Sequence, residues 1–299
     1  MSKINENIAA CSYMAIAMFC FVVNDAVIRT VGESLPLGQI LFLRNSFLVV
    51  LLILLMIHLG QWRQLPTILS PRVTARSLLE VVGSVAFLYA LLRIPFANTA
   101  AILQCLPLAV TLGATLFFGE RVGVWRWSAI VIGFAGVVII LRPGLEGFTP
   151  PALWLLVTVF CAAGRDLIAR SLPKSIPTSV VSLSTAALIA LTGAIMVAFQ
   201  DEWIAVSPSV ALRIAVAALL LVGAYQCIVL AMRSGDIGFV APFRYTSLLW
   251  AIALGWLMFD EWPDRLTIAG STLIVAMGLL SLYRETVIRR QNINHERSR

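Results

Sequence analysis

Ten apolar stretches, each about long enough to cross a bilayer, run through the chain at roughly 7–31, 37–58, 73–93, 96–118, 124–141, 151–171, 178–199, 208–232, 237–259 and 264–283. A helix of about 20 apolar residues spans the hydrocarbon layer. The loops between these stretches leave no room for a separate soluble domain. Of the 299 residues, 60% are hydrophobic and 12% charged, against about 25% charged in a soluble domain. That excess cannot be hidden in one aqueous core. The expected fold is all-α and integral to the membrane, with ten transmembrane helices. Lys3 precedes the first stretch. That stretch is too long for a signal-peptide core and lacks a small-residue cleavage site, so it reads as a retained helix.

Charge placement sets the expected orientation. Five of the 22 Lys and Arg fall on one side (Arg29, Arg93, Arg142, Arg213, Arg265) and three lie within spans (Arg44, Arg165, Arg244). The other 14 are on the opposite side with both termini. Positive residues favour the cytoplasm, so both termini are expected there, in a multi-pass protein of the inner membrane. The net charge of +7 then reflects topology and contact with anionic lipid. The basic tail RRQNINHERSR reads as solvated and lipid-facing, with no nucleic-acid partner. The five cysteines, Cys11, Cys20, Cys105, Cys161 and Cys227, all fall within spans and form no C-x-x-C pair. Neither a metal site nor a cofactor is expected.

The chain is written twice. At a shift of 141 residues, FCFVVNDAVIR (19–29) meets FCAAGRDLIAR (160–170), so that Phe19, Cys20, Asp25 and Arg29 match Phe160, Cys161, Asp166 and Arg170. Pro36 matches Pro177, and Glu120 matches Glu261; one extra residue later, Gly136 matches Gly278. Matched charges and prolines at one constant shift separate this from the chance likeness of two oily helices. The halves are 1–144 and 145–299. Each holds five spans, and an odd number makes the second half enter from the opposite side. The repeats are therefore inverted, as in many secondary transporters.

The segment PLAVTLGATLFFGERVGVWRWSAIVIGFAGVVIILRPG (Pro107–Gly144) closes the first half, and SLLWAIALGWLMFDEWPDRLTIAGSTLIVAMGLLSLYR, from Ser247, closes the second. Each half resembles an EamA-type unit of the drug/metabolite transporter superfamily. Two positions depart from the pattern: Asp260 replaces the glycine before Glu261, and Leu248 stands where a partner of Pro107 would be. The resemblance implies a cavity lined by helices 1–4 and 6–9, with helices 5 and 10 more peripheral. It also implies secondary transport of a small organic metabolite by alternating access. Export of an amino-acid-like solute is the favoured direction, and uptake of a vitamin-like, nucleoside-like or anionic metabolite is the alternative.

Ionisable groups within spans are costly, so they face a cavity and take partners. Helix rise puts Asp25 and Arg44 at similar depth, about 10 Å below the outer surface, flanked by Asn24 and Asn45. Glu80, Asp166 (next to Arg165) and Arg244 form a second layer about 10 Å above the inner surface. The two layers read as gates, Asp25 with Arg44 outside and Arg244 with Asp166 or Glu80 inside. They can equally be permanent pairs that let helices assemble, and either arginine can clamp an anionic solute. Between the layers lie Phe19, Gln104, Phe160, Tyr225, Gln226 and Trp250 as candidate lining of a solute cavity, with Asn24 above them. Ala109/Gly113 and Ala129/Gly133 have the spacing of close helix contacts. The last helix of each half has few polar groups, which suits lipid or a homodimer face. An integral membrane enzyme is the rival of another class, but only two histidines are present, His58 and His295, and no hydrolase or phosphate-loop motif appears.

Overall fold

The structure is a computed structural model and describes residues 3–119, 123–143, 149–173, 175–200, 203–234 and 237–297. Glu120 of the repeat, Asp201 and Glu202 of the seventh-to-eighth loop, and Arg121, Lys174 and Arg299 of the charge count lie outside the described residues. Among the described residues twelve α-helices follow one another: α1 (Lys3–Val31), α2 (Leu37–His58), α3 (Pro71–Leu91), α4 (Phe96–Leu103), α5 (Leu106–Phe118), α6 (Val124–Leu141), α7 (Leu153–Arg170), α8 (Thr178–Gln200), α9 (Pro208–Ser234), α10 (Ile237–Val240), α11 (Thr246–Phe259) and α12 (Arg265–Arg297). Among the described residues, nine helical stretches are long and apolar enough to cross a membrane. The remaining apolar run, 237–259, is divided between α10, a 3₁₀ segment (Ala241–Tyr245) and α11.

Two breaks stand at matching positions of the two halves. The first separates α4 from α5 at Gln104 and Cys105, with Pro107 in the first turn of α5. The second is the 3₁₀ segment, with Pro242 at its start. Proline has no N–H for the helical ladder and tolerates only the first turn. The two prolines do not align at the shift of 141: Pro107 lies in the first turn of α5, whereas Pro242 opens the 3₁₀ segment that precedes α11, so it is the breaks that match and not the prolines.

The helices form two compact units that are not the two halves of the sequence. One comprises residues 1–22, 95–148 and 223–299; the other comprises 23–94 and 149–222. In the first, α6 crosses α12 at glycine. A methyl at Gly136 would come within 2.8 Å of the Gly270 carbonyl, and one at Gly270 within 2.6 Å of the Gly136 carbonyl. Gly133, nearer the start of α6, faces Met277, further along α12, so the pair is antiparallel. In the second unit, Gly38 at the start of α2 meets Gly193 and Met196 late in α8. At the other end Leu52 and Met56 cluster with Val180 and Leu183, so this pair is antiparallel too. At the repeat shift α2 corresponds to α8 and α6 to α12. Corresponding helices running antiparallel is what an inverted repeat requires.

Candidate functional site

In the first unit the two helix breaks meet. Gln104, at the C-terminus of α4, is buried and donates from Nε2 to Ser247 Oγ at 2.8 Å. The Ser247 hydroxyl in turn donates to the Arg244 carbonyl at 2.9 Å. Both breaks interrupt backbone hydrogen bonding inside an apolar medium, where an unmet polar group is expensive. The amide and hydroxyl tie one break to the other. Around them lies a cavity of about 140 Å³, whose lining includes Met18, Gln104, Pro107, Arg244, Tyr245 and Ser247.

Two of these groups are unusual. Tyr245 is buried, and its hydroxyl has no hydrogen-bond partner among the described residues. That hydroxyl sits against Gly278 of α12, where any Cβ would overlap it. Arg244 is exposed, and among the described residues no carboxylate pairs with it. An arginine without an acid, on a broken helix beside a cavity, can receive an anionic group. On α1 and α11, next to Met18 and three residues beyond Ser247, Phe19 and Trp250 meet edge to face at 5.1 Å; Phe21 of α1 meets Tyr225 of α9 at 5.4 Å. Phe19, Trp250, Tyr225 and Gln226 are all exposed.

Of the expected lining, the structure thus gathers Phe19 with Trp250 and seats Gln104 at the cavity. Phe160 is exposed on α7 and belongs to the other unit. The roles of Ser247 and of the Tyr245 hydroxyl were not read from the sequence. Their signal is the nearby Pro242, which marks the break.

The second unit holds the acidic residues. Arg165 Nη1 donates to both Glu80 carboxylate oxygens at 2.6 Å, and its Nε donates to Asp166 Oδ1 at 2.9 Å. The inner-layer pairing expected was Arg244 with Asp166 or Glu80; the cation that bonds to both acids is Arg165. The reason is helix packing. Gly83 of α3 faces Cys161 of α7, and one turn further along this antiparallel pair Glu80 comes opposite Arg165. The three side chains are only 17–35% exposed. In the same unit buried Asn24 donates to Asp25 Oδ1 at 2.9 Å, and Arg44 acts electrostatically on that carboxylate. Asn45 turns back to the Leu41 carbonyl of its own helix at 2.9 Å.

Polar side chains also close the helix ends. Buried Gln39 donates to the Ile204 carbonyl at 2.7 Å and accepts from its N–H at 3.1 Å. Glu261 accepts from the Phe96 N–H at 2.7 Å, capping α4. Asp264 caps α12 by accepting from the Thr267 N–H at 2.8 Å, and pairs with Arg142 at the end of α6. Burial would raise the Asp264 pKa. The hydrogen bonds from Arg142 and Thr267 outweigh that and hold the carboxyl below the usual range.

A many-span helical protein with inverted repeats and a cavity where broken helices meet has the build of a secondary carrier. Comparison with known proteins narrows this. The EamA-like transporter family matches at residues 8–142 and again at 149–283, and the chain belongs to that family. It is 27% identical over 280 residues to an S-adenosylmethionine uptake transporter of Rickettsia conorii, covering 91% of each chain. It is 28% identical to the pseudopaline exporter CntI of Pseudomonas aeruginosa, over 87% of this chain and 91% of that one. A riboflavin transporter of Rhizobium johnstonii is 30% identical over 215 residues, 70% of this chain and 69% of its own. A solved crystal structure shares the fold with a TM-score of 0.61 and 18% identity, over 95% of this chain and 99% of that one. The protein is a multi-pass membrane transporter of small metabolites.

Proposed function

We propose that the protein carries a small organic metabolite with a carboxylate and a planar or apolar part, of the amino-acid-like class, across the cytoplasmic membrane by alternating access. The observation that carries this reading is Arg244, which lines the cavity at the helix breaks and has no acid beside it among the described residues. A guanidinium holds a carboxylate through two parallel hydrogen bonds. Gln104, Ser247 and Tyr245 supply an amide and two hydroxyls, and the Phe19–Trp250 pair supplies an aromatic wall. Relatives of similar identity are named for uptake and for export, so direction follows from energy coupling and not from the fold. The charge count supports cytoplasmic termini.

The ion clusters support helix assembly over gating. Glu80, Arg165 and Asp166 all lie in one compact unit, as do Asp25 and Arg44. Breaking such pairs would open that unit itself.

The test is counterflow in proteoliposomes with S-adenosylmethionine, riboflavin and a panel of amino acids, each acid beside its methyl ester. The expected result is transport of an acid and poor transport of its ester. Arg244→Gln should raise KM for the acid at least about tenfold, the scale of a lost charged hydrogen bond, and erase the preference over the ester. Unchanged acid transport by correctly inserted Arg244→Gln would sink the clamp.

A further inference from the structure

A second cavity, of about 410 Å³, lies in the other unit. It is lined by Ile53, Met56, Ile57, Trp62, Leu65 and Leu183. Met56 and Leu183 are buried and form its floor, while Ile53, Ile57, Trp62 and Leu65 are exposed along its rim. Among the described residues no charged side chain lines it. The walls are the last turns of α2, the start of α8 and the 3₁₀ segment Gln61–Leu69 between α2 and α3. That segment is pinned rather than loose: Ser179 Oγ of α8 donates to Gln61 Oε1 at 2.6 Å, and Ile68 packs on the α2–α8 cluster.

The groove sits where the span Leu37–His58 ends, at the depth where lipid headgroups begin. Tryptophan prefers this depth, with its ring in the acyl region and its edge towards water. The charge beside the groove is positive. The Arg63 guanidinium lies over the Trp62 ring, 5.5 Å from its centroid, and is exposed. His58 is exposed at the end of α2, and Arg72 lies in the first turn of α3. No acidic residue falls between Leu37 and Leu79. A greasy trough at headgroup depth with a guanidinium over its tryptophan wall is complementary to one kind of molecule. The trough takes an apolar chain, and the arginine takes a phosphate.

We propose that this groove binds one anionic phospholipid, an acyl chain lying along Ile53, Ile57 and Leu65 and the headgroup phosphate at Arg63. The site is independent of the solute cavity and of the solute carried.

The full-length protein is reconstituted in phosphatidylethanolamine vesicles containing increasing fractions of dibrominated phosphatidylglycerol. A matched series contains dibrominated phosphatidylethanolamine instead. Bromine quenches nearby tryptophan, and the Trp62 signal is the difference between the wild type and Trp62→Phe. The brominated phosphatidylglycerol should quench Trp62 at a mole fraction about fivefold lower than the zwitterionic lipid does, the scale of one basic residue near a charged surface. Arg63→Gln should bring the two curves together. Equal curves in the wild type would overturn the proposal, as would a preference that survives Arg63→Gln. So would Trp62 that neither lipid quenches, which would mean that a second copy of the chain or another segment covers the groove.

Discussion

At the residue scale, Gly119 and Asp260, which precede the matched Glu120 and Glu261, share a left-handed backbone. Gly119, at the end of α5, has φ +63°, and Asp260, at the same place after α11, has φ 54°. Glycine takes this conformation freely, and aspartate tolerates it better than most residues. The sequence showed Asp260 as a departure from the pattern; the backbone explains why the pattern asks for glycine. Asp260→Gly should therefore stabilise the protein by about 0.5–1 kcal/mol, and Asp260→Val should destabilise it. Thermal unfolding in detergent reads both, and a lower melting temperature for Asp260→Gly would refute the strain. Gly278 makes a sharper demand, because a side chain there collides with Tyr245. Gly278→Ala should drive the tyrosine into the solute cavity and weaken solute binding. Gly278→Ala with Tyr245→Ala should bind better than Gly278→Ala alone. A double variant no better than the single would remove Tyr245 from the account.

Asp264 lies just outside the last span and carries a pH prediction. Its pKa is depressed in the folded protein. It therefore contributes stability above the pKa of an unfolded aspartate, and that contribution is lost as pH falls through the lower, folded value. Between pH 7 and 3 the wild type should lose melting temperature more steeply than Asp264→Asn, which has no carboxylate to protonate. Parallel curves would show that the Arg142 pair is too exposed to matter.

At the scale of elements, close packing comes from glycines that face a neighbouring backbone. Spacing in the sequence pointed to Ala109/Gly113 and Ala129/Gly133, and these residues are buried or nearly so. The closest backbone approach on α6 is instead at Gly136 against Gly270. Small residues at i and i+4 mark a helix face, but not which partner presses on it or at what level. Gly270→Val should push α12 off α6, costing about 1–3 kcal/mol as overpacking does. The ion cluster is likewise a matter of two elements. Arg165→Ala would leave Glu80 and Asp166 facing each other within the span, at a cost of up to about 3 kcal/mol, less than for a fully buried pair. Adding Glu80→Gln and Asp166→Asn should recover most of the loss. If neutralising both acids restored no melting temperature, the cluster would not hold α3 to α7.

At the scale of the whole molecule, the inverted repeat was legible because both halves kept charges and prolines at one shift. What the halves do with each other was not. Each compact unit takes helices from both halves, so the repeat is a unit of descent and not a unit of packing. The cavity at the helix breaks lies where Gln104 of one half meets Ser247 of the other, 143 residues away. At the repeat shift Gln104 corresponds to Tyr245, so the two breaks contribute different chemistry to one cavity. Nothing local announces that the pair will touch.

The sequence by itself determined the spans, their number, the inversion and the family, because a bilayer admits only helices whose backbone is satisfied internally. Each of these is written in stretches of about 20 residues or in a constant shift. Only the tertiary structure decided which cation meets which acid. Depth along a helix is a one-dimensional quantity, and it placed Glu80, Asp166 and Arg244 in one layer. Azimuth around the helix axis and the choice of neighbour are set by packing. The contact of α3 with α7 gave both acids to Arg165 and left Arg244 at the cavity.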